Sequence, residues 1–533
     1  LLHINDESFC EENIDYYHIR RAYDQTKEWL DEKERNGATD PENTIKKALL
    51  DNVQVIWYEV DEKTGANNAP IDIFNRLNSG KIDLNNAELI KALLLQERNF
   101  VTVDKDGKET ADVTRQAQIA LEWDEMEKLL QRDDFWGFIY CSGNPLKYDT
   151  RMEYIFDLMT EKTKEKSHRY TFDCFYSQYQ EMRLTPREFV EEKWKEVQKY
   201  MLTLQQWFDD RTLYHYIGYL IEYTTPEKNL IQELKKLEQE PIPFKDDEGN
   251  EIIRRIDKSE FLNIVKDKIR DVLKIKKASE LRPAAPKDLN YNQKSGIVRK
   301  VLLLYNMQTL LNNKDSDAKF PLDLYKKGNW DVEHIASQTD FQLTKDKCVD
   351  WVHDIVRYIT GISFTDEKDY EARVEEFKKT QEEDERELVS TLMELIRLRE
   401  EDTITDKNIQ EAQAMVNSHF KCEHPVSDTQ KDYIWNLALL NASINRSYQN
   451  AIFPVKRMYI IDNESRGVFV PICTKNTFQK VYSKKLSELM CWDVYDAAAY
   501  WDDICRVLGK EKFLSDAILN HKPVKEEFVC QNS

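Results

Sequence analysis

The sequence predicts a mainly α-helical protein with small α/β parts. Three observations carry this expectation. Charged residues make up 33% of the 533-residue chain, which holds only 13 glycines and 14 prolines. That balance suits long solvated helices better than a β-rich fold. Apolar residues recur at helical spacing over most of the chain. Only a few short runs alternate, or carry β-branched residues, in the manner of strands. The length exceeds a single hydrophobic core, so two or three domains are expected.

Taken in order, residues 14 to 35 read as an amphipathic helix with Ile19, Tyr23 and Leu30 among its apolar positions. Val53 to Val60 alternates and reads as a strand. A loop over Lys63 to Asn68 follows, with Pro70 near the start of a helix. The run Ile73-Phe74-Asn75-Arg76-Leu77-Asn78-Ser79-Gly80 then leads through Leu84 into Asn86 to Leu95. This predicts a helix, a turn supplied by Asn78 and Gly80, and a second helix capped by Asn85 or Asn86. Arg115 to Leu130 places Ile119, Trp123, Met126 and Leu130 on a helix, and Arg151 to Leu158 opens another. Their aromatic density is that of a core. From there to about residue 315 nearly everything reads as helix, broken near Pro226, Pro241 to Gly249 and Pro283 to Pro286. Asp246 to Asn250 reads as a hairpin-like turn, since it lacks the spaced ligands of a calcium loop.

Several classes are excluded or weakened. No run of eighteen apolar residues exists, so no membrane span is expected, and no signal peptide is visible. Nine scattered cysteines without a Cys-x-x-Cys pair predict reduced thiols in a cytoplasm. His419, Cys422 and His424 cluster, but without a second ligand pair a structural or surface role is preferred to zinc. No phosphate-binding Gly-x-x-x-x-Gly-Lys loop and no fixed repeat appears. The net charge of −21 repels nucleic acid unless it is segregated. Segregation is visible: Lys266, Lys268, Arg270, Lys274, Lys276, Lys277 and Arg282 crowd one stretch, and Lys475, Lys480, Lys484 and Lys485 another. The acid gathers at Glu375 to Glu387 and Glu394 to Asp402. This permits DNA binding without requiring it.

The chemistry-bearing stretch is Trp330-Asp331-Val332-Glu333-His334-Ile335-Ala336-Ser337-Gln338, read with a second one about a hundred residues on. The second runs Trp435-Asn436-Leu437-Ala438-Leu439-Leu440, through Ser443-Ile444-Asn445-Arg446, to Phe453-Pro454-Val455-Lys456. Hydrolysing a phosphodiester needs an activated water, charge relief on the phosphate and stabilisation of the departing 3′ oxygen; a divalent cation and a general base supply all three. His334 suits the base, because neutral imidazole accepts protons near neutral pH. Glu333, its neighbour on a strand, projects the other way. The plain structural alternative makes His334 a partly buried histidine and Asn436 and Asn445 turn and cap residues.

Together these stretches resemble the HNH (ββα-metal) nucleases, in the variant at the C-terminus of GmrSD-like type IV restriction enzymes. The resemblance implies that His334 is the base, that Glu333 and Asn445 hold Mg2+ or Mn2+, and that Asn436 braces the loop. It places Lys456, and more weakly Arg446, at DNA phosphate. Two departures are visible: Ser337 stands where the family has Pro, and the acidic helical insertion between Gln338 and Tyr433 is long. The Phe-x-Arg-Leu-Asn-Ser-Gly run with the following Leu-x-x-Ala-Glu-Leu-Ile-Lys-Ala resembles the latter half of the ParB/sulfiredoxin-like domain that begins the same family. The family's Asp-Gly-Gln-Gln-Arg motif, tied to nucleotide hydrolysis, does not occur here. The beginning at Leu1 suggests that this part lies upstream. Arg76 and Asn78 are either turn residues or contacts to a nucleoside triphosphate.

The expected layout is therefore a ParB-like remnant over 1–110, a helical middle over 111–315, and an HNH-type domain over 316–533 with an insertion at about 341–432. By analogy the resemblance implies a cytoplasmic DNA endonuclease of bacterial phage defence, cutting modified foreign DNA under nucleotide control, with a homodimer as a compatible assembly and no membrane partner. The other classes weighed are a catalytically idle DNA-binding, scaffold or regulatory protein, and an RNA-cleaving HNH enzyme.

Overall fold

In the computed structural model, residues 14–35, 40–54 and 84–522 are described, apart from stretches at 104–108, 142, 145, 147, 183–184, 225–228, 246–250, 278–279, 338–342, 365–368, 445–450 and 484–488. Among them the chain is mostly helix, and its strands form two-stranded antiparallel sheets. This is the mainly α architecture that the composition and periodicity predict. Among the described residues no helix is long and apolar enough to cross a membrane. The strand expected at 53–60 lies outside the described residues beyond Gln54, and so does the whole turn at 78–80.

The chain divides into two compact units, one over 1–136 and 145–203, the other over 137–144 and 204–533. The first contains α1 (Ile14–Arg35), α2 (Pro41–Asn52), α3 (Asn86–Leu94), the β1–β2 pair (Val101–Val103 with Glu109–Ala111) and α4 (Val113–Gln131). After α5 (Asp133–Ile139), which runs into the second unit, come α6 (Arg151–Met159), α7 (Tyr170–Gln180) and most of α8 (Pro186–Asp209). The helix expected over 14–35 forms, but its apolar residues do not reach a core: Ile19 is 46%, Tyr23 39% and Trp29 46% exposed. The predicted cap of α3 is Asn85, whose side chain accepts from Glu88 N while Glu88 returns a bond to Asn85 N. Asn86 instead turns inward, donating to Glu153 Oε1 and the His168 carbonyl and accepting from Phe172 N. The Trp123 ring stacks on Trp194 at 5.9 Å and meets Phe156 at 5.4 Å, so the aromatic spacing does mark the core.

The second unit is built on α12 (Tyr291–Asn312). Before it stand α9 (Arg211–Tyr223), α10 (Leu230–Gln239), the β3–β4 hairpin (Ile242–Lys245 with Glu251–Arg254), α11 (Lys258–Val272) and the β5–β6 pair (Ile275–Lys277 with Glu280–Arg282). The turn expected at 246–250, between the paired strands β3 and β4, lies outside the described residues. Val301 to Gln308 of α12 are all buried, polar Asn306 and Gln308 included, so this stretch of the helix is covered on every side. Its polar groups are used: Tyr305 Oη donates to Asp503 Oδ2 at 2.6 Å, and Asn306 Oδ1 accepts from Cys473 N at 2.9 Å.

After α13 (Leu322–Lys327), strand β7 (Trp330–His334) pairs antiparallel with β8 (Leu437–Asn441), in register Trp330↔Asn441 to His334↔Leu437. The acidic insertion between them is helical as expected: α14 (Lys345–Thr360), α15 (Tyr370–Lys378), α16 (Glu383–Glu400) and α17 (Asp406–His419). Beyond β8 come α18 (Phe453–Ser465), α19 (Ile472–Phe478) and α20 (Val494–Gly509). Four of the five β8 residues are buried, which explains why the Leu437-Ala438-Leu439-Leu440 run is apolar throughout instead of alternating. Thr474 Oγ1 and Tyr500 Oη donate to the carbonyls of Leu439 and Leu437, so α19 and α20 hold the strand by its backbone.

Candidate active site

The two stretches singled out in the sequence meet in the β7–β8 pair. The ladder extends past both ends: Ala442 N donates to Asn329 O at 2.7 Å, and Ile335 N donates to Asn436 O at 2.8 Å. The second of these bonds joins the turn after His334 to the turn before Leu437. Asn436 completes that junction. Fully buried, its Oδ1 accepts from Ala336 N at 2.8 Å, and its Nδ2 donates to the carbonyls of Ala336 (3.1 Å) and Lys431 (2.9 Å). Asn436 thus braces the loop that leaves β7 against the loop that enters β8. Ser337 donates from Oγ to Ala451 O at 2.5 Å and ties that loop to the approach of α18.

Glu333 and His334 take different partners, as neighbours on a strand do. Glu333 Oε1 lies 2.5 Å from Lys456 Nζ, with both side chains buried (8% and 2% exposed). Lys456 Nζ also donates to the His334 carbonyl at 2.6 Å. The lysine expected at DNA phosphate is therefore seated inside the protein on the strand it follows by more than a hundred residues. His334 Nε2 stands 2.9 Å from Asp432 Oδ1, each side chain about one-fifth exposed. Asp432 Oδ2 accepts from Asn292 Nδ2 at 2.6 Å, and the Tyr291 ring meets the imidazole edge-on at 6.0 Å. Asn445 and Arg446 lie outside the described residues, as do Arg76 and Asn78.

Asp432 is the residue that reading the sequence missed. It lies 98 residues from His334, beyond the four helices of the insertion, and no local spacing marks it. Its nearness to Asn436 is the available signal, since an Asn that binds the loop after His334 brings its own flanking residues to that histidine.

The basic stretches behave differently from their linear appearance. Lys266 pairs with Glu511, Lys268 with Glu233, Arg270 with Asp267, Lys274 with Asp271 and Arg282 with Asp288. In the second stretch Lys475 pairs with Glu464, and Lys480 is buried against Asp496. Acids distant or adjacent in sequence thus pair with these seven cations; Lys484 and Lys485 lie outside the described residues.

An oxygen-preferring divalent cation suits the donor chemistry at Glu333, a carboxylate at the end of a strand with one oxygen facing Lys456. Among the described residues no group of three His, Cys, Asp or Glu side chains could hold a metal ion. His419, Cys422 and His424 form no such group either; the His424 ring packs edge-on against Tyr495.

No protein family, curated protein or solved structure matches the chain.

Proposed function

We propose that the chain is a metal-dependent phosphodiesterase of the ββα-metal type that cleaves DNA. The observation that carries this reading is the convergence at one strand end: Glu333 and His334 close β7, and Asn436 binds the loop after them to the loop before β8. Two segments separated by the whole insertion thereby meet: the first supplies Glu333 and His334 at consecutive strand positions, and the second supplies Asp432 beside His334 and Asn436 to fix the loop. In the reaction His334 takes a proton from water, whose oxygen attacks the phosphorus. Glu333 and Asn445 would hold Mg2+ or Mn2+, which relieves charge on the phosphate and the departing 3′ oxygen. Lys456 sets the Glu333 carboxylate from inside and neutralises it. The modified-DNA substrate, phage defence and nucleotide control rest on the sequence resemblance alone, carried by Arg76, Asn78 and their neighbours.

A second reading, a catalytically idle DNA-binding or scaffold protein, is favoured by one observation: Glu333 Oε1 already faces the buried Lys456 ammonium. The experiment that separates the two is cleavage of matched modified and unmodified DNA, and of RNA, in Mg2+ or Mn2+ and in chelator. Wild type, His334→Ala and Asn445→Ala are compared with and without nucleotide. Metal-dependent cutting lost in both variants supports the enzyme. DNA binding without cutting under any condition establishes the scaffold, and cutting equal in wild type and His334→Ala removes His334 from the mechanism.

A further inference from the structure

The residues around His334 fix more than its position. In a neutral imidazole one nitrogen carries the proton and the other a lone pair, and the partner of one nitrogen decides which. Asp432 Oδ1 stands 2.9 Å from Nε2, and a carboxylate can only accept there, so Nε2 carries the proton. No partner of Nδ1 occurs among the described residues, and the side chain is about one-fifth exposed. The lone pair therefore resides on Nδ1.

The carboxylate is held by Asn292, and the backbone that carries it is held by further bonds. Asn292 Nδ2 donates to Oδ2 at 2.6 Å, and Tyr291 N donates to the Asp432 carbonyl at 2.8 Å. Ile434 N donates to Leu289 O at 3.0 Å, and Asn290 bridges Tyr433. These bonds stitch 432–434 to the start of α12 and the turn before it. A strand end alone would let the imidazole rotate; this clamp removes that freedom and gives the imidazolium a countercharge.

We propose that Asp432 is a positioning residue for the reaction at His334, holding the Nε2–H tautomer so that Nδ1 is the atom that takes the proton from water. This deepens the phosphodiesterase reading and rests on it. In the step, a water O–H bond breaks and its proton passes to Nδ1, while the water oxygen bonds to phosphorus. The P–O3′ bond then breaks, and the 3′ oxygen gains a proton from solvent. The imidazolium keeps its Nε2–H on Asp432 and returns the Nδ1 proton to water. Asn292 acts one position further out, orienting Asp432.

The test combines two readouts on the full chain. Histidine-selective 15N NMR, with the His334 signals assigned by their loss in His334→Ala, reports the tautomer directly and needs no activity. The expected wild-type spectrum is that of an Nε2–H tautomer, shifting to a mixed or Nδ1–H pattern in Asp432→Ala. Metal-dependent cleavage of duplex DNA is expected to fall roughly 10- to 100-fold in Asp432→Asn, the range seen when a partner orienting a functional histidine is lost. The fall is smaller in Asn292→Ala, and thermal unfolding of Asp432→Asn checks that the fold survives. A wild-type Nδ1–H tautomer, or a tautomer unchanged in Asp432→Ala, overturns the proposal. So does a folded Asp432→Asn that cuts as wild type. Full activity in His334→Ala overturns the phosphodiesterase reading instead, and the spectrum then still decides whether Asp432 sets the tautomer.

Discussion

Lys456 and Glu333 face each other at 2.5 Å with almost no exposure, and the same ammonium binds the His334 carbonyl at 2.6 Å. One cation thus holds the side chain of the first residue and the backbone of the second. A buried pair adds little net stability, because desolvation offsets most of the attraction, yet removing one partner strands the other charge. Lys456→Met is therefore expected to destabilise the protein by about 3–5 kcal/mol in chemical denaturation. The double variant Glu333→Gln with Lys456→Met should recover much of that loss, since no charge remains buried. A single variant as stable as wild type would mean that the ion pair is exposed to solvent in solution.

Asn436 makes a different kind of demand, being neutral, fully buried and triply bonded. Asn436→Ala leaves Ala336 N–H and two carbonyls without their partner, at a cost of about 3 kcal/mol in denaturant unfolding. Asn436→Asp is the sharper test. The carboxylate still accepts from Ala336 N–H but cannot donate to either carbonyl, and it buries a negative charge against both. It should destabilise at least as much as Asn436→Ala at neutral pH. An Asp variant near wild-type stability would show that the amide does not donate as described.

What the sequence made legible was local. Helical spacing located α4, α6, α8 and α9, and the Asn85 cap was found to within one residue. The apolar run at Leu437 marked a strand because it reports on its own neighbours. Contacts across long separations were not legible. The basic run near Lys266 looked like a nucleic-acid surface until Glu511, some 245 residues away, took its partner. Asp432 reaches His334 only because the insertion folds back, and the apolar spacing of α1 gave no warning that Ile19 and Tyr23 stay exposed. Periodicity states which residues share a face; it does not state what covers that face.

Gly328, just before β7, shows a packing constraint of the same site. A Cβ there would come within 2.9 Å of Trp330 Nε1, 3.0 Å of Asn441 Nδ2 and 3.1 Å of the Leu324 carbonyl. The indole cannot yield easily, being stacked on Tyr325 at 5.4 Å and edged by Phe469 at 5.7 Å. Gly328→Ala should cost about 1–3 kcal/mol, the usual price of overpacking, read as a lowered Tm. Gly296 in α12 is the matched control, because nothing lies within 4 Å of its Cβ position. Gly296→Ala is expected to be neutral or to stabilise by up to about 1 kcal/mol through helix propensity. If both variants unfold alike, steric crowding at Gly328 is not what selects glycine.

His215 gives the protein a pH dependence independent of any catalysis. It is fully buried on α9, its Nδ1 donating to Arg211 O at 2.6 Å and its Nε2 accepting from Phe320 N at 2.9 Å. An imidazolium could not accept that second bond, and burial pulls the His215 pKa down to about 4, from 6.5 in the unfolded chain. Between these values the unfolded state binds a proton that the folded state refuses, so stability rises with pH there. The contribution is fully present above about pH 6.5. It is lost as pH falls towards 4, and the full difference amounts to about 3 kcal/mol. Carboxylates titrate in part of the same window, so the comparison must be between wild type and His215→Gln, unfolded in denaturant at several pH values. The gap between their stabilities should shrink as pH falls from 6.5 to 4, because only the wild type carries the histidine penalty. A gap constant over that interval would mean that His215 takes up its proton without disturbing the Phe320 bond.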